Sequence, residues 1–330
     1  MAFRRCASSC PSGWPTLAAR RRSGCRTRWA FPAMWRRPLR WWPGTAWILP
    51  FRSSCRALWL GTHYQRHQLN EDGRFMKRSP WLLLGIGLRL GHLTLHIACA
   101  FAVAGVYPAL RVPAQQRFMR WWSRSLLELL KVQHHVSGQP EGAQAPACLL
   151  VANHVSWLDI FALNVVTPAR FVAKSEVSGW PVLGWLVQRA GTLFIRRAVR
   201  SDTVHVNARM AGLLQQGSAV GLFAQGTSAT PDQAVHFHAP LLQSAVAAGA
   251  RVQPIAIFYH DQHGAWHDAA AFVDDITFIE SLWQIVCSPG IQVTVSYLPP
   301  IDACGQDRRA LAVLTQCAVN AALARHMQAE

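Results

Sequence analysis

From about residue 146 onward the chain alternates short β-rich runs with helix-patterned segments. The runs are ACLLVAN (147–153), RFVAK (170–174), TLFIRR (192–197), AVGLFA (219–224), VQPIAIFY (252–259) and IQVTVSYL (291–298). Between them, helical patterns cover 157–166, 180–190, 203–216, 238–248, 277–287 and 306–328. Strands that alternate with helices read as crossover units, whose helices cover both faces of a largely parallel sheet. The expected fold class is therefore α/β, with a largely parallel central sheet flanked by helices. Ligands gather at the carboxyl ends of such strands. Four polar clusters fall there: Asn153-His154, Lys174-Ser175-Glu176, Arg196-Arg197 and Gln225-Gly226-Thr227-Ser228.

Upstream, residues 90–107 carry no Lys, Arg, Asp or Glu. With Trp81 to Leu88 in front, the apolar stretch spans about a bilayer thickness if helical, interrupted only by Arg89. The following segment, AQQRFMRWWSRSLLELLKV, is amphipathic, with Arg117, Arg120 and Arg124 on one side and Trp121 and Trp122 at interfacial depth. A membrane-anchoring helical segment over 76–135 accounts for both pieces, with His134-His135 as an interfacial turn; a buried core helix pair is the alternative. Basic residues flank both sides, so the charge rule for orientation decides nothing. Gly85, Gly87 and Gly91 follow no strand and lack dinucleotide-binding spacing, so close helix packing is the expected reason for them.

The net charge of +17 is unevenly spread. Residues 1–75 hold 14 Arg and no Lys against only Glu71 and Asp72, with seven of the fifteen Trp and four of the nine Cys. The segment shows no sustained helical or strand period and no continuous apolar core of the secretory kind. A disordered basic arm for nucleic acid and a targeting peptide both compete here. The composition favours a third account, GC-rich DNA translated out of frame, with Met76 opening a sensible start, MKRSPWLLLGIGLRLGHL. No nucleic-acid partner is expected. The cysteines form no C-x-x-C pair and are odd in number, so reduced thiols are expected and no metal.

The stretch NHVSWLD raises the chemical question. In a regular helix His154 and Asp159 would lie about 140° apart, so they meet only if His154 sits in a turn that precedes the helix. Ser156 is a good N-cap, and Ser156-x-x-Asp159 fits a capping box, so helix capping alone explains these residues. The functional reading has Asp159 hold one ring nitrogen of His154, making the other a general base for an alcohol. The adjoining helix N-terminus would then offer backbone donors to an oxyanion. Elsewhere, His260, His263 and His267 with Asp261 and Asp268 read as a polar exposed loop, because their spacing matches no zinc pattern. Trp180 and Trp185 read as core or acyl-groove lining.

Five segments in order resemble the glycerolipid acyltransferase family, whose best-known member is 1-acylglycerol-3-phosphate acyltransferase. NHVSWLD resembles its first motif, His-x4-Asp, and GTLFIRR resembles the second at Gly191, Phe194, Ile195 and Arg197. FAQGT (Phe223 to Thr227) is similar to the third, Phe-Pro-Glu-Gly-Thr, and VQPIAI around Pro254 to the fourth. KSEVSGWPVLG is similar to the Lys-x-Glu-Leu run between the first two, and the agreement spans roughly 146–300.

The resemblance implies a membrane-associated catalytic domain over 146–330 that moves an acyl group from acyl-CoA or acyl-acyl carrier protein to a lysolipid hydroxyl. His154 and Asp159 would be catalytic. Asn153, Lys174, Arg197, Gln225, Gly226, Thr227 and Pro254 would bind substrate, with substrate contact also expected of His238. No cofactor is implied beyond the thioester co-substrate; the partners implied are lysolipid and bilayer. The location implied is the inner membrane, with the catalytic domain on the cytoplasmic face. Direct attack on the thioester fits the absence of a Gly-x-Ser-x-Gly elbow. Three positions depart from the family: Ala224 for Pro, Gln225 for Glu, and Ser228 where many phosphatidate-forming members have Arg. FHAPLLQSA and VQPIAIFY are closer to the branch that acylates lyso-ornithine lipid, an acceptor without phosphate. Phosphatidate synthesis and a weakly active or inactive lipid-binding homologue remain the alternatives. Deleting residues 1–75 is expected to leave acyl transfer unchanged, and mass spectrometry of the native protein to return no peptide upstream of Met76; one such peptide overturns the out-of-frame account.

Overall fold

The computed structural model describes residues 80–140, 148–181, 183–196, 199–226, 228–230, 236–273, 276–288 and 290–328. The whole of the 1–75 reading lies outside them. Eight strands form one sheet: β1 Gln133–Gly138, β2 Cys148–Ala152, β3 Arg170–Lys174, β4 Leu193–Ile195, β5 Val220–Phe223, β6 Arg251–His260, β7 Gln292–Tyr297 and β8 Ile301–Asp302. The order is β1-β7-β6-β2-β5-β3-β4, with β8 beside β6. All pairings are parallel except β6 with β7 and β6 with β8. The α/β sheet expected from the alternation is present.

The helices are α1 Pro80–Val106, α2 Val112–Leu129, α3 Asp159–Val166, α4 Leu183–Arg189, α5 Arg200–Gln215, α6 Gln243–Ala248, α7 Phe278–Cys287 and α8 Arg308–Gln328. Alternate strand residues feed two cores, one on each face. Leu150, Ile255, Ile257 and Val295 pack with Leu126 and Leu127 of α2, Ala162 and Leu163 of α3, and Ile285 of α7. Leu149, Val151, Val252 and Phe258 pack with Met210 and Leu214 of α5 and Leu311, Val319 and Leu323 of α8. Five-residue β2 is buried at every position, as a central strand covered on both faces must be.

Strand β1 corrects the reading of His134-His135 as an interfacial turn. Its six residues are mostly exposed, so no apolar alternation marks them, yet they pair with β7 along their whole length. Polar contacts hold this edge: His134 Nε2 lies 2.9 Å from the Ala162 carbonyl, His135 Nε2 lies 3.0 Å from Gln292 Oε1, and Ser137 donates to Ser296. Burial pushes the His134 imidazole below its usual range, which keeps it neutral beside that carbonyl.

The span Gly87–Ala109, which runs from α1 through the turn that follows it, is long and apolar enough to cross a membrane. Leu84, Leu88 and Leu95 are exposed, while Leu93, His96, Ala100 and Ala104 are buried. His96 stacks on Trp122 of α2 with ring centroids 4.9 Å apart, and Phe101 stacks on Trp185 of α4 at 5.4 Å. Trp180 and Trp185 remain 40% and 37% exposed, too open for core residues. The glycine expectation also fails: a Cβ on Gly85, Gly87 or Gly91 would meet nothing within 4 Å. The loop after β6 is closed by a bridge between His260 and Trp266, and Asp261 Oδ1 accepts from the His263 and Ala265 amides. Among the described residues no cluster fit to hold a metal occurs there or elsewhere.

One glycine is demanded by close packing. A Cβ on Gly221 in β5 would run into the ring of Phe171, which is 4% exposed and stacks on Phe223. Gly221→Ala is expected to destabilise the fold by about 1–3 kcal/mol, read as a lower denaturant midpoint at unchanged slope.

Candidate active site

The parallel strands β2, β3, β4 and β5 end on one edge of the sheet, which places His154, Lys174, Arg196 and Gln225 along it. The chain leaves β2 at Ala152 and turns before α3 begins at Asp159. In that turn Asp159 folds back on the residues before it. Its Oδ2 accepts from His154 Nδ1 at 2.8 Å, from the Val155 amide at 2.8 Å and from the Ser156 amide at 3.0 Å. The turn between them is what brings together two residues that a regular helix would hold apart.

The capping expectation is met in part. The carboxylate arm reaches back to the Ser156 amide, but the Ser156 hydroxyl accepts from Leu158 at 3.3 Å, and the helix starts later than a Ser156 cap requires. The amides of Val155, Ser156 and Leu158 are therefore already engaged, and Asp159 N–H bonds the Ser156 carbonyl. This corrects the expectation that the helix N-terminus offers these donors to an oxyanion.

Sequence reasoning missed Tyr259. Near the end of β6, one hundred residues away, its hydroxyl donates to Asp159 Oδ1 at 2.8 Å. Tyr259 and Asp159 are both fully buried. Burial first, then the Asp159 charge and the hydrogen bond to it, hold the Tyr259 phenol well above its usual range, so it remains a donor. No local pattern in VQPIAIFY marks it; the only signal is that a buried tyrosine hydroxyl needs a polar partner.

Four donors thus converge on the Asp159 carboxylate. An ionised carboxylate only accepts, so a neutral His154 carries its proton on Nδ1 and presents a lone pair on Nε2. The imidazole is 24% exposed and lies over Phe223, ring centroids 4.2 Å apart and planes 14° from parallel. Phe223 stacks in turn on Phe171. The histidine backbone is held as firmly: Gln225 Oε1 accepts its N–H at 2.5 Å, and Ala229 N–H donates to its carbonyl. This side chain can take a proton from a hydroxyl that reaches its open edge.

The other expected residues divide. Asn153, 3% exposed, brackets Ile257 of β6, donating to its carbonyl at 2.9 Å and accepting its amide at 2.7 Å. Pro254 is buried within β6, in register with Val151. Both lie in the frame beneath the histidine. Lys174 ends β3 and is exposed at the same strand-end edge as His154. Gly226 turns the chain after Gln225 with φ +87°, a conformation that favours glycine. Ser228 donates to the Phe272 carbonyl, and exposed His238 bonds the Ala224 carbonyl through its backbone N–H. Arg197 and Thr227 lie outside the described residues.

Comparison with known proteins shows the family and the fold. Residues 133–258 match the family model described as Acyltransferase. A lyso-ornithine lipid O-acyltransferase of Pseudomonas aeruginosa is 37% identical over 251 residues, covering 76% of this chain and 93% of that protein. A 1-acyl-sn-glycerol-3-phosphate acyltransferase of Neisseria meningitidis serogroup B is 38% identical over 189 residues, covering 57% and 73%. The crystal structure of the 1-acyl-sn-glycerophosphate acyltransferase from Thermotoga maritima shares the fold, with a TM-score of 0.54 at 20% identity over 74% of this chain and 95% of that one. A relative matched over nearly its full length, on the same parallel α/β frame, places this chain in the acyltransferase family as an enzyme that transfers acyl groups.

Proposed function

We propose that the enzyme moves a fatty acyl group from an acyl-CoA or acyl-carrier-protein thioester to the hydroxyl of a lysolipid. The observation that carries this reading is the His154–Asp159 pair, with Nδ1 held at 2.8 Å and the ring edge open. His154 Nε2 takes the hydroxyl proton as the oxygen attacks the thioester carbonyl. The tetrahedral intermediate collapses with loss of the thiolate, which takes the proton back from the imidazolium. Asp159 holds the ring in one tautomer and balances the transient positive charge. No covalent acyl-enzyme is required.

The acceptor favoured is lyso-ornithine lipid. The Pseudomonas aeruginosa relative carries that name, and the position of the motif arginine is taken by Ser228, whose hydroxyl is bonded to backbone. A bidentate phosphate clamp is thereby replaced by a loop tie. Gln225 supports an active dyad: its amide oxygen fixes the His154 backbone, a task a neutral amide performs as well as a carboxylate. Exposed Lys174, together with Arg197, Gly226 and Thr227, would meet the anionic or polar parts of donor and acceptor, while Asn153 and Pro254 act by positioning the turn. The exposed leucines of α1 would enter the bilayer, at the inner membrane with the catalytic edge on the cytoplasmic side.

Membranes that contain the wild-type chain, given labelled acyl donor and a panel of lysolipids, are expected to acylate lyso-ornithine lipid faster than 1-acylglycerol 3-phosphate. A reversed preference moves the enzyme to phosphatidate synthesis. His154→Ala should lower transfer about a hundredfold or more, and retention of full activity overturns the mechanism. Tyr259→Phe leaves Asp159 short of one charge-assisted bond, so kcat should fall about tenfold with KM little changed; an unchanged kcat would remove Tyr259 from the positioning network.

A further inference from the structure

The opposite ends of these parallel strands border a polar cavity that the acyl-transfer reading does not use. Its volume is about 460 Å³, within the range of about 300–1,000 Å³ typical of small-ligand sites. Arg170 opens β3 and Gly191 precedes β4, so the cavity lies at the amino ends of strands whose carboxyl ends meet His154. Tyr107, Gln115, Arg170, Trp185, Gln188 and Arg189 provide most of its wall, and no Asp or Glu is among the lining residues.

The wall is built rather than loose. Gln115 of α2 donates to the carbonyls of Tyr107 and Leu110, both at 3.0 Å, which pins the turn that ends α1. Tyr107 also packs edge-on against Phe118 with ring centroids 6.0 Å apart. The Arg189 guanidinium lies over the Trp185 ring, 5.4 Å from its centroid, and a Cβ on Gly191 would touch Arg170 Nε at 3.3 Å. Gly191, with φ +82°, thus leaves the Arg170 side chain its place beside the cavity. Among the described residues the ion pairs are His154–Asp159 and Arg196–Asp202, so neither cavity arginine has a carboxylate partner. Two guanidinium groups and the Gln188 amide around one cavity, with no Asp or Glu among the lining residues to neutralise them, form an anion-recognising set.

We propose that this cavity binds a phosphate group, held by Arg170 and Arg189. A phosphate accepts paired N–H donors from a guanidinium, and an aromatic face behind Arg189 keeps that fork oriented. The phosphate can come from the headgroup of an anionic phospholipid or from a free phosphate. The apolar run of α1 ends beside the cavity, which sets it at headgroup depth for the first source.

The test uses the full chain in detergent and native mass spectrometry. Wild type is expected to retain phosphatidylglycerol but not phosphatidylcholine, and Arg170→Gln/Arg189→Gln to retain about tenfold less, the loss of about 1.4 kcal/mol of binding. A free-phosphate site shows instead as a rise in melting temperature with inorganic phosphate that the double variant lacks. The milder Arg189→Gln and Arg170→Lys variants, with unchanged acyl transfer, separate loss of binding from loss of fold. Equal retention of phosphatidylglycerol by wild type and variants, with no arginine-dependent phosphate shift, overturns the proposal. Loss of acyl transfer in wild type would count against the acyltransfer reading and leave this one standing.

Discussion

A carboxylate with no exposure to water has to find its donors inside the protein, and Asp159 finds four. An unpaired charge in that place would cost several kcal/mol, so the rest of the site is arranged around avoiding it. The turn from β2 folds back to supply two amides and the histidine, and the neighbouring strand β6 supplies the phenol of Tyr259. That last donor depends on register. Ala152 pairs with Ile255, and a slip of one residue would turn Tyr259 to the other face of the sheet. Asn153, bonded at both ends of its amide to Ile257, locks that register one residue before His154.

The same economy governs the histidine ring. Phe171, Phe223 and His154 form a column of near-parallel rings that rises from the core to the strand ends, and Gly221 leaves the space that lets Phe171 enter it. Gln225 and Ala229 then take the two backbone groups of His154. The His154 imidazole is thus a surface extension of the hydrophobic core, with one ring nitrogen committed to Asp159 and the ring partly open to solvent.

Much of this was legible in the sequence. The six β-rich runs are strands, five of them inside the sheet and β4 at its edge, and they announce themselves by composition, while the helical patterns between them fall close to the observed helices. His154 and Asp159 could be paired from spacing because the turn that joins them is local. Strand β1 could not be read, because its residues QHHVSG are mostly exposed and its partner β7 lies about 160 residues away. The glycines of α1 misled for the opposite reason: their spacing suggested close packing, and the face they occupy is open.

The sequence alone determined the sheet class and the strand ends as the place where the polar clusters gather, since periodicity carries those, and it brought His154 and Asp159 within reach of each other through a short local turn. Only the tertiary structure decided that Tyr259 completes the Asp159 shell, that Gln225 serves the His154 backbone, and that Arg170 and Arg189 share one cavity. Those pairings join residues far apart in the chain through register and burial. Neither quantity is written in any local run of residues.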